Sequence, residues 1–234
     1  LSDFKVLSFD CYGTLIDWET GIWTALQPLA AKAGGTAREA ALMRFGHHES
    51  AQEKATPSLR YSELLVRVHA TLAAEWGVAA DAEADRAFGA SVGDWPAFRD
   101  SAEALAYLKR HFKLVILSNV DRASFALSNR RLGVAFDAIC TAEDIGSYKP
   151  NPENFRYLLA RLGEMGHTPG DLLHVAQSLY HDHAPANAAG LTSAWIDRRA
   201  AEPGWGATPA AAAHHDFRFT TLAELAAAHR AEQS

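Results

Sequence analysis

The sequence predicts an α/β protein: a parallel sheet covered by helices on both faces, with a helical cap inserted after the first strand. Three observations predict it. Short β-prone runs alternate with helix-like segments along most of the chain. The first of these runs ends abruptly in a polar cluster with a Gly-containing turn, Asp10-Cys11-Tyr12-Gly13-Thr14, and another ends in Ser118-Asn119. Between Asp17 and Trp95 the alternation stops and only helix-like stretches appear.

Taken in order, Lys5 to Phe9 reads as the first strand, closed by Asp10. Gly21 to Lys32, Ala37 to Lys54, Tyr61 to Trp76 and Ala80 to Val92 read as the helices of the insert, with hinges near Ile16-Asp17 and Gly93 to Pro96. The expected division is therefore residues 1–16 and 96–234 as a catalytic core and 17–95 as the cap. Leu114 to Leu117 is the second strand, and Ala138 to Thr141 is a third after the apolar-spaced Ser124 to Leu132. Leu172 to Val175 follows a helix over Pro152 to Leu162, and Thr192 to Ile196 follows Pro185 to Ala189. The tail ends in a helix-like Leu222 to Gln233 and carries no motif. In parallel sheets of this kind ligands bind beyond the carboxyl ends of the strands, where Asp10, Ser118 and the residues after Val175 would converge.

At 234 residues and 48% hydrophobic, the chain can bury a full core with room for an inserted unit. A formal net charge of -6 without a long basic run argues against nucleic acid or an anionic membrane as partner. Cys11 and Cys140 form no CxxC pair, which speaks against a disulfide framework or thiolate metal site. With no segment that reads as an export signal, the expected compartment is the cytoplasm.

Four polar clusters carry the chemistry. Asp10 supplies a nucleophile, Ser118 a hydroxyl, Lys149 of Ser147-Tyr148-Lys149-Pro150 a cation, and Asp182 a second acid. Opposite charge from Lys149 and hydroxyls from Thr14 and Ser118 would hold Asp10 ionised. Beside them Cys11, Tyr12, Asn119, Gln177 and His181 are expected against the substrate. His181 and His183 flank Asp182, but successive side chains on a helix diverge, so no metal site is assigned to them.

In these four clusters the chain resembles the haloacid dehalogenase superfamily over nearly its whole length. The resemblance implies a Rossmann-like core with an inserted cap and the first Asp as covalent nucleophile. Most members are magnesium-dependent phosphatases, with a second Asp where this chain has Tyr12 and a Gly-Asp pair where it has Ala176-Gln177. Magnesium prefers hard anionic oxygens, so a metal-free, cofactor-free site follows. The segment FDCYGTLID resembles the type II 2-haloacid dehalogenases. That likeness implies displacement of halide from C2 of a short haloalkanoate by Asp10, hydrolysis of the resulting ester to a 2-hydroxy acid, and a homodimer. It also implies a halide-stabilising Arg in the cap, for which Ala41-Leu42-Met43-Arg44 is the corresponding stretch, with Arg60 as fallback. Three positions depart from that family: Leu179 stands in place of an Asn, Phe155 in place of a Tyr, and His181 in place of a Trp. An atypical magnesium phosphatase and a binding protein without turnover are the alternative readings.

Overall fold

The computed structural model describes residues 1–233. Its strands are β1 (Val6–Phe9), β2 (Lys113–Ser118), β3 (Ala138–Thr141), β4 (Leu172–Ala176), β5 (Thr192–Ile196) and β6 (Phe217–Phe219). The helices are α1 (Trp18–Lys32), α2 (Arg38–Ala55), α3 (Tyr61–Glu75), α4 (Ala82–Ala90), α5 (Ser101–Leu108), α6 (Arg122–Leu132), α7 (Ala142–Ile145), α8 (Pro152–Glu164), α9 (Ala184–Ala188) and α10 (Leu222–Glu232). The strands form one six-stranded sheet in the order β3-β2-β1-β4-β5-β6, every pair parallel. That order is the doubly wound Rossmann arrangement, whose connections reverse direction between β1 and β4.

β1 and β4 are buried along their whole lengths because helices cover both faces of the sheet. The sequence leaves β6 unread, since Phe217–Phe219 is short and its burial only partial at an edge. The expected helix opening at Asp182 is instead a π-helical turn over Leu179–His183, followed by α9. The wide turn places His183 N on Ser178 O at 3.2 Å, and it rotates Asp182 and His181 apart from His183.

The cap consists of α1 to α4. Its apolar faces meet the β1 end of the core in one continuous cluster that includes Leu42, Phe45, Leu64, Leu65 and Val68 with Phe9, Leu15 and Ile116. Two turns of contact fasten it over the strand ends: Tyr148 Oη donates to Leu59 O at 2.5 Å, and Ser62 N donates to Asp121 Oδ2 at 3.0 Å. Gly46, inside α2, lies so close to the Ala207 carbonyl that a Cβ there would overlap it. No helix among the described residues is long and apolar enough to cross a membrane.

Candidate active site

Asp10 leaves β1 at the reversal point of the sheet, its N–H still bonded to Val175 O of β4 at 3.1 Å. The Gly13 turn, with φ of 91°, then folds the chain back so that Thr14 faces the carboxylate. Thr14 Oγ1 donates to Asp10 Oδ2 at 2.8 Å and accepts from Gln177 N at 2.9 Å, which ties the ends of β1 and β4 through one hydroxyl. Lys149 Nζ donates to Asp10 Oδ1 at 2.9 Å, to Leu117 O at 3.0 Å and to Asp182 Oδ1 at 2.6 Å. All three donor positions of the ammonium are thereby filled.

These groups are almost wholly out of water: Lys149 and Asp182 are each 1% exposed and Asp10 is 6%. Burial opposes the Lys149 charge, but Asp10 and Asp182 outweigh it and raise the ammonium above its usual range. For Asp182 burial is again the largest influence, and Lys149 with His174 overcomes it to hold the carboxyl below the usual range. Burial, with Asp182 adding to it, raises Asp10 above the ordinary carboxylate range, and Lys149 and Thr14 offset only part of that rise, so the ammonium and hydroxyl hold Asp10 less firmly ionised than the sequence implies. The chemical result is a carboxylate stripped of water and anchored by an ammonium and a hydroxyl, the state in which an oxygen anion is a capable nucleophile.

The cleft above Asp10 encloses about 40 Å³ and is lined by Tyr12, Ser118, Asn119, Gln177, His181 and Asp182 from the core and by Glu49, Glu53 and Tyr61 from the cap. Tyr12 is a wall: its hydroxyl bonds Ser128 Oγ at 2.9 Å and its ring meets Trp95 edge-on at 5.5 Å. Asn119 Oδ1 accepts from Lys149 N at 2.7 Å, and its amide donates to Lys149 O and to Glu53 Oε1, both at 3.0 Å. Gln177 Oε1 accepts from Thr208 at 3.3 Å. Burial lowers His181 to about 4 and leaves it neutral. Ser118 Oγ and Asp182 Oδ2 are buried with no hydrogen-bond partner.

Of the residues expected from the sequence, the structure brings Asp10, Tyr12, Ser118, Asn119, Lys149, Gln177, His181 and Asp182 around one cleft with Thr14 behind it. Two residues fall elsewhere. Cys11 lies in the hydrophobic core, fully buried, because the strand's alternation turns it away from Asp10, so it is not a substrate contact. Arg44 sits on the outer face of α2, where Nε and Nη2 donate to Glu75 at 2.7 and 2.5 Å, and it does not reach the cleft. The turn of α2 that buries Leu42, Phe45 and Glu49 points Arg44 outward. The fallback Arg60 is likewise outside, on Glu143 at 3.1 Å.

Sequence reasoning missed Glu49, Glu53 and His174. Glu49 and Glu53 continue the i, i+4 spacing from Phe45, a signal that they share its buried face. His174 is a polar residue in the middle of the apolar run Leu172–Ala176, which demands a buried partner. Its Nε2 stands 3.0 Å from Asp182 Oδ1 and its Nδ1 2.8 Å from Ser8 Oγ.

The parallel sheet, the carboxylate at its reversal point and the cap closed over it define a hydrolase of the α/β class. The chain belongs to the haloacid dehalogenase-like hydrolases, whose family model matches residues 4–190. Among solved structures it is similar to an L-2-haloacid dehalogenase at 24% identity and a TM-score of 0.80, covering 97% of this chain and 99% of that one. It is similar to the L-2-haloacid dehalogenase of Xanthobacter autotrophicus with chloropropionic acid covalently bound, at 18% identity and a TM-score of 0.79, covering 97% and 98%. The magnesium-bound HAD-hydrolase YfnB of Bacillus subtilis gives 20% identity and 0.77, covering 97% and 99%. At these identities the likeness is one of fold. No protein of curated function matches the sequence.

Proposed function

We propose that this chain hydrolyses short 2-haloalkanoic acids to 2-hydroxy acids through an ester on Asp10, without a metal. The observation that carries the reading is the state of Asp10: buried, held by Lys149 and Thr14, and facing Tyr12 where a proton-donating acid would stand for phosphate chemistry. Tyr12 is bound to Ser128 and its phenol is pushed well above its usual range by burial, so it is a poor donor to a leaving alkoxide.

In the first step an Asp10 carboxylate oxygen forms a bond to C2 as the carbon–halogen bond breaks, and halide leaves with the bonding electrons. In the second, water adds to the ester carbonyl, its proton passes to a base, and the C2 hydroxyl is released with Asp10 regenerated. Asp182 Oδ2, free of protein hydrogen bonds, is the base offered to that water. A covalently bound chloropropionic acid in a protein of the same fold supports the covalent route.

Chloride release from L-2-chloropropionate in the presence of a chelator tests the reading. No release across a panel of chain lengths and halogens sinks it. Hydrolysis in oxygen-18 water should place the label in Asp10 during a single turnover.

A further inference from the structure

The cap closes the cleft with acids where an arginine was expected. Glu49 and Glu53, 4% and 6% exposed, lie one helical turn apart on the inner face of α2 and line the cavity that holds Asp10. In each, a neutral group occupies one oxygen. Tyr61 Oη donates to Glu49 Oε1 at 2.5 Å, and Asn119 Nδ2 donates to Glu53 Oε1 at 3.0 Å. Glu53 Oε2 stands 4.0 Å from His181 Nε2 on the core side.

Among the described residues no lysine or arginine forms an ion pair with either acid, and the more distant Lys149 and Lys54 draw Glu53 down less than burial and Glu49 push it up. Lys149 is spent on Asp10, Asp182 and Leu117 O. Lys54, on the same helix, is exposed and stands over the Tyr180 ring. The other ionisable groups facing the pair are Asp10, Asp182 and the neutral His181 of the core and the phenols of Tyr12, Tyr61 and Tyr148. A buried carboxylate in such company is disfavoured by desolvation and by its like-charged neighbours, so each acid keeps its proton. A protonated carboxyl is a hydrogen-bond donor. Across the cavity Ser118, 2% exposed, offers a hydroxyl with no protein partner.

We propose that Glu49 and Glu53, as carboxylic acids, form the anion-binding end of this cleft and donate, together with the Ser118 hydroxyl, to the carboxylate of a two- or three-carbon acid. The inference rests on the dehalogenase reading for the identity of that acid. The cavity of about 40 Å³ suits a small ligand, since roughly 10–15 Å³ of such space holds one water. Burial lifts Glu49 to about 8, and lifts Glu53 well above its usual range with Glu49 adding to the effect. The donors are therefore present at neutral pH and lost in alkali, where two carboxylates would repel the ligand.

Calorimetric titration with propionate, which has the carboxylate and no leaving group, tests this apart from turnover. Propionate should bind at pH 6.5 and weaken about tenfold or more by pH 9. The double variant E49Q/E53Q, which keeps N–H donors and cannot ionise, should bind propionate within about threefold of the parent at pH 6.5 and show no such weakening. E49L/E53L, checked for a parental melting profile, should lose binding. The proposal is overturned if propionate does not bind, if its affinity in the parent is flat or rises with pH, or if n-propylammonium binds more tightly than propionate. Chloride release with no dependence on either glutamate would leave the dehalogenase reading standing and remove this one. Propionate binding with the stated pH dependence and no chloride release would do the reverse.

Discussion

His174 Nε2 stands 3.0 Å from the Asp182 oxygen, Oδ1, that also accepts from Lys149 at 2.6 Å. Ser8 Oγ lies 2.8 Å from the other ring nitrogen, and because an ionised carboxylate only accepts, the proton of the Asp182 contact sits on Nε2. Two donors converging on Oδ1 fix the carboxylate plane and leave Oδ2 unpartnered. His174→Phe removes the donor while keeping an aromatic ring in the strand. We expect turnover to fall about tenfold, with a stability loss of about 1–3 kcal/mol from the stranded buried groups. A fall in kcat at unchanged propionate affinity in calorimetry would place the effect on Asp182 rather than on binding.

The ion cluster of Asp10, Lys149 and Asp182 separates chemistry from stability. Asp10→Asn keeps the shape and should abolish halide release, by about 10³-fold or more, because a neutral amide oxygen is a poor nucleophile. Lys149→Met leaves two carboxylates buried without their cation. Breaking a buried pair in this way typically costs about 3–5 kcal/mol, and urea unfolding should show a lowered midpoint. An Asp10→Asn protein with parental turnover would remove the carboxylate from the mechanism.

Most of the sheet is legible in the sequence because strands buried on both faces are continuous apolar runs with polar stops, as in Leu114 to Leu117 before Ser118-Asn119. Asp10 is legible for the same reason, since it lies at a strand end, whereas Lys149, in the loop between α7 and α8, is legible from the polar cluster Ser147-Tyr148-Lys149-Pro150. The cap side of the site is not. A helix presents every residue of its sequence to some direction, and whether Arg44 or Glu49 faces inward depends on which face packs on the core. The i, i+4 series Phe45, Glu49, Glu53 carries that information, but a charged residue reads as surface until its burial is seen. The π-helical turn at Leu179–His183 is unreadable as well, because nothing in Leu179-Tyr180-His181-Asp182-His183 separates an i+5 turn from an ordinary helix start.

Arg44 provides a direct contrast with the sequence expectation. Its guanidinium is engaged with Glu75 on the outer surface of the cap, so Arg44→Ala should leave halide release within about twofold of the parent, as surface substitutions away from a site usually do. A loss of tenfold or more in kcat/KM would mean that α2 turns over in the working enzyme.

Glu49 also sets the pH dependence of folding. Its folded value of about 8 lies above the 4.5 of an unburied glutamate. The folded chain therefore retains a proton that the unfolded chain releases, and the stability from this group is fully present below pH 4.5 and is lost as pH rises through about 8. His181 and His183, both lowered by burial to about 4, act oppositely, but only up to the ordinary 6.5. Between pH 6.5 and 8 the two buried glutamates dominate, since Glu53 is lifted as well, each with a slope of at most about 1.4 kcal/mol per pH unit for its proton. Glu49→Gln should reduce the slope of urea stability over that interval and E49Q/E53Q should flatten it; an unchanged slope in Glu49→Gln would show Glu49 ionised in the folded state.

The two halves of the proposed reaction are unequally equipped, and the inequality is measurable. Asp10 is fully positioned for attack, while for Asp182, the group offered to the hydrolytic water, burial is outweighed by Lys149 and His174, which hold it below the usual carboxylate range. A weaker base slows proton removal from water. Formation of the ester should therefore outrun its hydrolysis. Rapid mixing of enzyme with 2-chloropropionate should give a burst of chloride approaching one equivalent of enzyme, followed by a slower steady rate. Quenched samples should carry a 1-carboxyethyl ester on the peptide containing Asp10. Magnesium should leave both phases unchanged, because Ala176 and Gln177 supply no anionic oxygen beside Asp10 and Asp182 Oδ1 is already committed to Lys149 and His174. A linear time course with no adduct would place the slow step before the ester. Magnesium-dependent release of p-nitrophenol from its phosphate ester, with no chloride release, would move the chain to phosphoryl transfer.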